Sequence, residues 1–96
     1  MIQTPAAMRM NVRIKGRVQG VGYRFFVNQA ARKMNLTGWV RNLPDGDVEA
    51  EAQGDLKPLE QFVHELKIGH PWARVDDFHS DTLPDKTGES AFTIES

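Results

Sequence analysis

The apolar residues near the N-terminus change their spacing across one glycine-rich stretch, from Gly16 to Phe26. Before this stretch, apolar and polar residues alternate from Met8 to Lys15, which predicts a β-strand with one buried face. Within and after it, apolar residues recur at helical spacing from Tyr23 to Met34, which predicts an amphipathic helix. The chain is therefore constrained to begin with a strand that turns directly into a helix.

The turn between the two elements is suited to a ligand. Gly16, Gly20 and Gly22 have no Cβ, so successive main-chain N–H groups can point at a small group without obstruction. The partial positive charge of the helix N-terminus favours an anion there. Arg24 lies in the first helical turn, where a cation is disfavoured by about 0.3–1 kcal/mol unless an anion is bound. The alternative is a tight turn with a solvated surface arginine.

The turn matches neither of the standard nucleotide-binding patterns. After Gly20 and Gly22 a third glycine would be due at position 25, where Phe25 stands, and no Gly-Lys-Ser/Thr run exists for a P-loop. We therefore expect the loop to hold a single phosphoryl group rather than a dinucleotide.

The rest of the chain predicts four further strands and a second helix. These elements are a strand over Leu36–Asn42, a strand over Val48–Gln53 after the turn at Pro44–Gly46, a helix from Pro58 to a stop at Gly69, a strand from Val75 with a bulge before Phe78, and a closing strand at Phe92–Ile94. The order β-α-β-β-α-β with a short extra strand predicts an α+β, ferredoxin-like sandwich, in which an antiparallel sheet has both helices packed on one face.

This arrangement makes two further predictions about the sheet. Right-handed crossovers place the first and third strands side by side. The sheet face without helices is open to solvent, and its expected residues are Arg9, Arg13, Lys15, Glu49 and Glu51.

Length and composition limit the classes of function. Ninety-six residues predict one domain with a single core over residues 8–96, preceded by a disordered tail over residues 1–7. The formal charge of −1 leaves no positive excess for coating nucleic acid. The absence of cysteine excludes thiol catalysis and disulfides. No apolar run approaches the ~20 residues that span a bilayer, and no signal peptide is seen, so we expect a cytoplasmic protein.

Three sequence blocks together resemble the acylphosphatase family. They are V-Q-G-V-G-Y-R-F at Val18 to Phe25, G-W-V-R-N at Gly38 to Asn42 and D-G-D-V-E at Asp45 to Glu49, and the similarity extends from Met8 to the end. The resemblance implies the ferredoxin-like fold and an enzyme, an acylphosphate phosphohydrolase, which converts small acyl phosphates to a carboxylate and inorganic phosphate without metal or cofactor.

The resemblance also implies roles for individual residues. Arg24 would be the phosphate-binding arginine, and Asn42 would position the attacking water. The phosphate-binding loop would consist of Gln19, Gly20, Val21, Gly22 and Tyr23. Two positions depart from the family pattern: Tyr23 stands where many members carry Phe, and Glu95-Ser96 replaces a basic or aromatic ending. The second departure leaves open whether the C-terminus contacts the site.

Two other functions are compatible with the same order of elements. A single-strand RNA-binding module can have the same element order, but the third strand has no aromatic residue and presents Glu49 and Glu51. A non-catalytic anion-binding or regulatory domain stays open. Without the resemblance, Asn42 would be read as a strand-end residue that bonds its own backbone. The histidines lack metal-ligand spacing, so no metal site is expected. The resemblance implies a small acyl phosphate as the partner, and we expect a monomer that binds neither nucleic acid nor a membrane.

Overall fold

A computed structural model describes residues 7–95 of the chain. The predicted N-terminal tail, apart from Ala7, lies outside the described residues. The elements are β1 (Met8–Arg17), α1 (Tyr23–Lys33), β2 (Thr37–Asn42), β3 (Val48–Gly54), α2 (Leu56–Ile68), β4 (Arg74–Leu83) and β5 (Phe92–Ile94). Their order is the one that the sequence predicts. Neither helix of residues 7–95 is long and apolar enough to cross a membrane.

The five strands form one sheet in the order β4-β1-β3-β2-β5. The first and third strands are adjacent, as predicted. The pairs β1–β3, β1–β4 and β2–β3 are all antiparallel. In contrast, β5 runs parallel to β2, so the sheet is mixed rather than wholly antiparallel. Because β2 and β4 run in opposite directions, a strand that reverses direction after β4 and joins the far edge must be parallel to β2.

The core lies between one face of the sheet and the two helices. Val12 and Ala50 face each other across β1 and β3, and the predicted alternation is seen in the burial of residues 12–15 of β1 and 48–52 of β3. Both helices contribute buried residues and contact each other. The larger core side chains are Val12, Ile14, Tyr23, Val27, Val40, Val48, Leu59, Phe62, Leu66 and Phe92. This packing places α1 against β2 and β5.

Two local features of the sequence are refined by the structure. Helix α2 begins at Leu56 after the extended residue Asp55, so Pro58 is its third residue rather than its first. Proline is tolerated there because first-turn N–H groups have no partner within the helix. The bulge in β4 is confirmed: Lys15 lies opposite Asp77 and Gly16 opposite Val75, which leaves one extra residue between them.

Arg9 departs from the expectation of an open sheet face. Arg13 and Lys15 are exposed, but Arg9 is only 2% exposed. Its Nε donates to Oε1 of Glu51 at 2.8 Å, and its Nη1 donates to Oε1 of Glu89 at 2.8 Å. The long connection between β4 and β5 supplies Glu89 and so covers this part of the face. The prediction of a solvent-exposed Arg9 is therefore wrong. It did not consider that the segment between β4 and β5 crosses this face of the sheet.

Candidate active site

A pocket of about 240 Å³ lies where the β1–α1 loop meets the ends of β2 and β5. It contains both residues predicted to be catalytic, Arg24 and Asn42. The lining residues are Val18, Gln19, Gly20, Gly22, Tyr23, Arg24, Phe25, Asn42 and Ile94. The fold thus brings a residue of the first helical turn next to the last residue of β2.

The main chain of the β1–α1 loop takes up a left-handed conformation at two of its glycines. Gly20 and Gly22 have φ of 75° and 76°, values that side-chain-bearing residues seldom adopt. Gly22 caps α1, and its carbonyl accepts from the N–H of Phe26 at 3.1 Å. Within residues 7–95, none of the main-chain N–H groups from Gly20 to Phe25 donates to another group. These donors, together with the helix N-terminus, can surround an anion.

Arg24 points its guanidinium group into the same region. Its Nη1 donates to the main-chain oxygen of Glu95 at 3.2 Å, and the N–H of Glu95 donates to the oxygen of Val40 at 2.8 Å. Glu95, the last residue that the structure describes, therefore contacts Arg24, whereas Ser96 lies outside the described residues. Arg24 forms no ion pair with a carboxylate in residues 7–95, so most of its five donors are available to a ligand.

Asn42 ends β2, where it pairs with Val48. Its Oδ1 is buried and has no hydrogen-bond partner among residues 7–95, so it does not bond its own backbone. A buried amide oxygen of this kind needs a hydrogen-bond partner, and a water bound in the pocket can supply one. The oxygen and nitrogen of the amide exchange places by a half-turn about Cβ–Cγ, so either can face the pocket.

Gln19 ties the loop to the turn that follows Asn42. Its Nε2 donates to the main-chain oxygens of Leu43 at 2.8 Å and Asp47 at 2.9 Å. Both N–H donors of the side-chain amide are thereby used within the protein, so the Gln19 side chain has no donor left for an anion. Val21, also predicted for the phosphate-binding loop, does not line this pocket but a neighbouring groove beside Arg17 and Trp72.

The family model for acylphosphatases matches residues 10–94. The chain belongs to the acylphosphatase family. The acylphosphatase of Clostridium beijerinckii is 44% identical over 87 residues, which cover 91% of this chain and 97% of that protein. The acylphosphatase of Thermococcus kodakarensis is 50% identical over 68 residues, which cover 71% of this chain and 75% of that one.

Solved structures agree with this assignment. The crystal structure of acylphosphatase from Bacillus subtilis matches with a TM-score of 0.88 and 38% identity, over 93% of this chain and 99% of that chain. Full-length HypF in its phosphate- and nucleotide-bound form matches with a TM-score of 0.86 and 29% identity, over 98% of this chain but 12% of that chain. The resemblance and the ferredoxin-like fold are confirmed, and the same fold also occurs as a small part of a larger protein.

Tyr23, one of the two departures from the family pattern, has a structural use. Its hydroxyl donates to the main-chain oxygen of Leu66 at 2.6 Å, inside the core. Burial raises the pKa of the Tyr23 phenol, so the group stays neutral and keeps donating. The hydroxyl joins the first turn of α1 to the end of α2, next to the loop that is predicted to bind phosphate.

Three apolar residues of the pocket, Val18, Phe25 and Ile94, are absent from the predicted site. Phe25 follows Arg24 directly, so its position in the motif could have indicated it. Ile94 has no such signal, because only the parallel pairing of β5 with β2 brings it to the pocket.

None of the three histidines lines the pocket of Arg24 and Asn42. Nδ1 of His70 accepts from the main-chain N–H groups of Trp72 and Ala73, at 3.1 Å each, so it shapes the connection after α2. Residues 7–95 contain no group of three His, Asp or Glu side chains placed to hold a metal ion.

Proposed function

We propose that this member of the acylphosphatase family hydrolyses the carboxyl-phosphate anhydride of small acyl phosphates to a carboxylate and inorganic phosphate. The single observation that carries the proposal is that Arg24, the free N–H groups of the β1–α1 loop and Asn42 line one pocket. Its relatives of similar length are themselves acylphosphatases.

The chemistry needs only what this pocket provides. The departing carboxylate is a weak base, so breaking its bond to phosphorus requires no general acid. What remains is to hold the phosphoryl group, stabilise charge on its equatorial oxygens and place water in line. Arg24 can bind two of those oxygens bidentately, and the N–H groups of Gly20, Gly22 and Tyr23, which line the pocket, supply further fixed donors.

Asn42 is proposed to orient the attacking water. Its amide can accept a hydrogen bond from water and donate another, but it cannot act as a base. The proton of the water therefore goes to a phosphoryl oxygen or to solvent. Gln19 supports this step indirectly, because its two hydrogen bonds hold the loop against the turn that follows Asn42.

The working form is proposed to be a metal-free monomer in the cytoplasm. The guanidinium of Arg24 and the main-chain donors can supply the positive charge that a metal ion would otherwise provide. All of the residues in the proposed mechanism come from one chain. A chain without cysteine is compatible with a reducing compartment.

The test is hydrolysis of acetyl phosphate and benzoyl phosphate by the purified protein, with and without EDTA. We expect rapid hydrolysis of both that EDTA does not change. Arg24→Gln should abolish most of it, whereas Arg41→Gln, which removes an exposed arginine paired with Glu49, should not. Tight binding of inorganic phosphate without turnover would instead favour the non-catalytic anion-binding or regulatory domain.

A further inference from the structure

Two large apolar side chains stand at the rim of the phosphate pocket while much of their surface faces solvent. Phe25 is 59% exposed and Ile94 is 43% exposed. They come from different elements, the first turn of α1 and β5, yet both line the pocket that contains Arg24 and Asn42. The pocket therefore has a charged floor and a partly apolar rim.

The covalent chain places this rim close to the proposed phosphate-binding group. Phe25 follows Arg24 directly, and Ile94 precedes Glu95, whose main-chain oxygen accepts from Arg24. An acyl phosphate has the same two-part character, because its phosphoryl group is charged and its acyl group is uncharged. When Arg24 holds the phosphoryl group, an acyl group leaving the pocket on this side passes Phe25 and Ile94.

We propose that Phe25 and Ile94 form the acyl-binding wall of the site and select substrates with an aromatic or branched apolar acyl group over acetyl phosphate. This inference rests on the proposed function. The wall is half open to solvent, so the selection is several-fold rather than the larger factors that a closed hydrophobic pocket can reach.

A neighbouring groove offers a different place for an acyl group. It is lined by Arg17, Gly20, Val21, Pro71 and the exposed Trp72, and it shares Gly20 with the phosphate pocket. It includes neither Arg24 nor Asn42, so an acyl group there would lie apart from the residues that hold phosphorus and water. The geometry favours the wall formed by Phe25 and Ile94 over this groove. Substitution of Trp72 distinguishes the two places.

The first test measures binding of two analogues in which a methylene replaces the bridging oxygen, phenacylphosphonate and acetonylphosphonate. We expect wild type to bind the phenyl compound about three- to tenfold more tightly, the range expected from one aromatic contact. Phe25→Ala and Ile94→Thr should each reduce that ratio two- to fivefold. Thr keeps the β-branched shape that suits β5, and Phe25 is largely exposed, so neither change should unfold the protein.

Two control variants complete this measurement. Ile68→Ala removes an exposed apolar side chain at the end of α2, away from the pocket, and should leave the ratio unchanged. Trp72→Ala should also leave it unchanged. A ratio that falls in Trp72→Ala and stays constant in Phe25→Ala would overturn the proposal.

The second test compares kcat/KM for benzoyl phosphate and acetyl phosphate. Phe25→Ala and Ile94→Thr should raise KM for benzoyl phosphate two- to fivefold and leave KM for acetyl phosphate within twofold. An equal loss for both substrates would show a structural effect and contradict the proposal. If wild type hydrolyses neither compound, the proposed function fails, while the analogue ratio still decides whether the wall recognises an apolar group.

Discussion

Arg9 and Arg24 are two arginines of the first β-α unit with opposite surroundings. Arg9 is almost completely buried, and its guanidinium donates to Glu51, Gln53 and Glu89. Arg24 is partly exposed, and its contact within residues 7–95 is one main-chain oxygen at 3.2 Å. The charge of Arg9 is therefore neutralised inside the fold, whereas the charge of Arg24 is directed at a pocket.

The comparison shows that the partners of an arginine, rather than its residue type, determine what it does. The hydrogen bond with Glu89 raises the pKa of Arg9 and lowers the pKa of the Glu89 carboxyl, so each group stabilises the charge of the other. This pair fastens the β4–β5 connection to the sheet. Arg24 lacks a carboxylate partner in the described chain and can respond to a bound anion. Four experiments test this difference and the site that Arg24 belongs to.

The largest effect is expected for Arg24→Lys. Lysine keeps the charge but loses the planar pair of donors, so kcat/KM for benzoyl phosphate should fall about 10²–10³-fold. Steady-state kinetics gives the loss, and urea unfolding should show a free-energy change within about 0.5 kcal/mol, as for an unpaired surface residue. An active Arg24→Lys would contradict the need for a planar pair of donors, whereas a variant that fails to fold would make Arg24 a structural residue like Arg9.

Asn42→Ala should separate catalysis from binding. Removing the group that orients water should lower kcat about 10²-fold, a loss typical of a misplaced reactant. The dissociation constant of inorganic phosphate, measured by titration calorimetry, should stay within about twofold. Stability should not fall, because the variant removes a buried oxygen that has no partner in residues 7–95. Full activity in Asn42→Ala beside an inactive Arg24→Lys would contradict the proposed role.

Arg9→Met should act on stability alone. It leaves Glu51 and Glu89, with side chains 21% and 18% exposed, without their cation. We expect the free energy of unfolding to fall by about 2–3 kcal/mol, less than for a fully buried pair because water still reaches both carboxylates. Arg41→Met, which removes an exposed pair with Glu49, is the matched control and should cost at most about 0.5 kcal/mol. Equal losses in the two variants would mean that burial of Arg9 is unimportant.

The smallest effect concerns pH. The hydrogen bond from Arg9 lowers the pKa of Glu89 below its ordinary value of 4.5, so its contribution to stability is present above that pH and is lost as pH falls through the lowered pKa. Wild type should exceed Glu89→Gln by about 0.5–1 kcal/mol near neutral pH, and the difference should shrink below about pH 4. Urea unfolding at several pH values measures it, and a constant difference would contradict the ion pair.

Much of the fold could be predicted because its signals are local. The alternation from Met8 to Lys15 and the helical spacing from Tyr23 each depend on neighbouring residues, and both elements are found there. Gly20 and Gly22 indicated, by residue type alone, a loop whose main-chain N–H groups are unobstructed by side chains, and in the structure both glycines have positive φ. The resemblance to acylphosphatases named Arg24 and Asn42, and the fold then placed both in one pocket.

Local patterns in the sequence were enough to predict the order of the elements and the glycine-rich loop, and the resemblance named the two polar residues proposed for catalysis. The burial of Arg9, the parallel pairing of β5 with β2, the place of Ile94 in the pocket and the contact of Glu95 with Arg24 became visible only in the folded chain. Arg9 and Glu89 are 80 positions apart, and Arg24 and Glu95 are 71 apart. No local period encodes such contacts, because they arise where the β4–β5 connection crosses the sheet and the last strand returns beside β2.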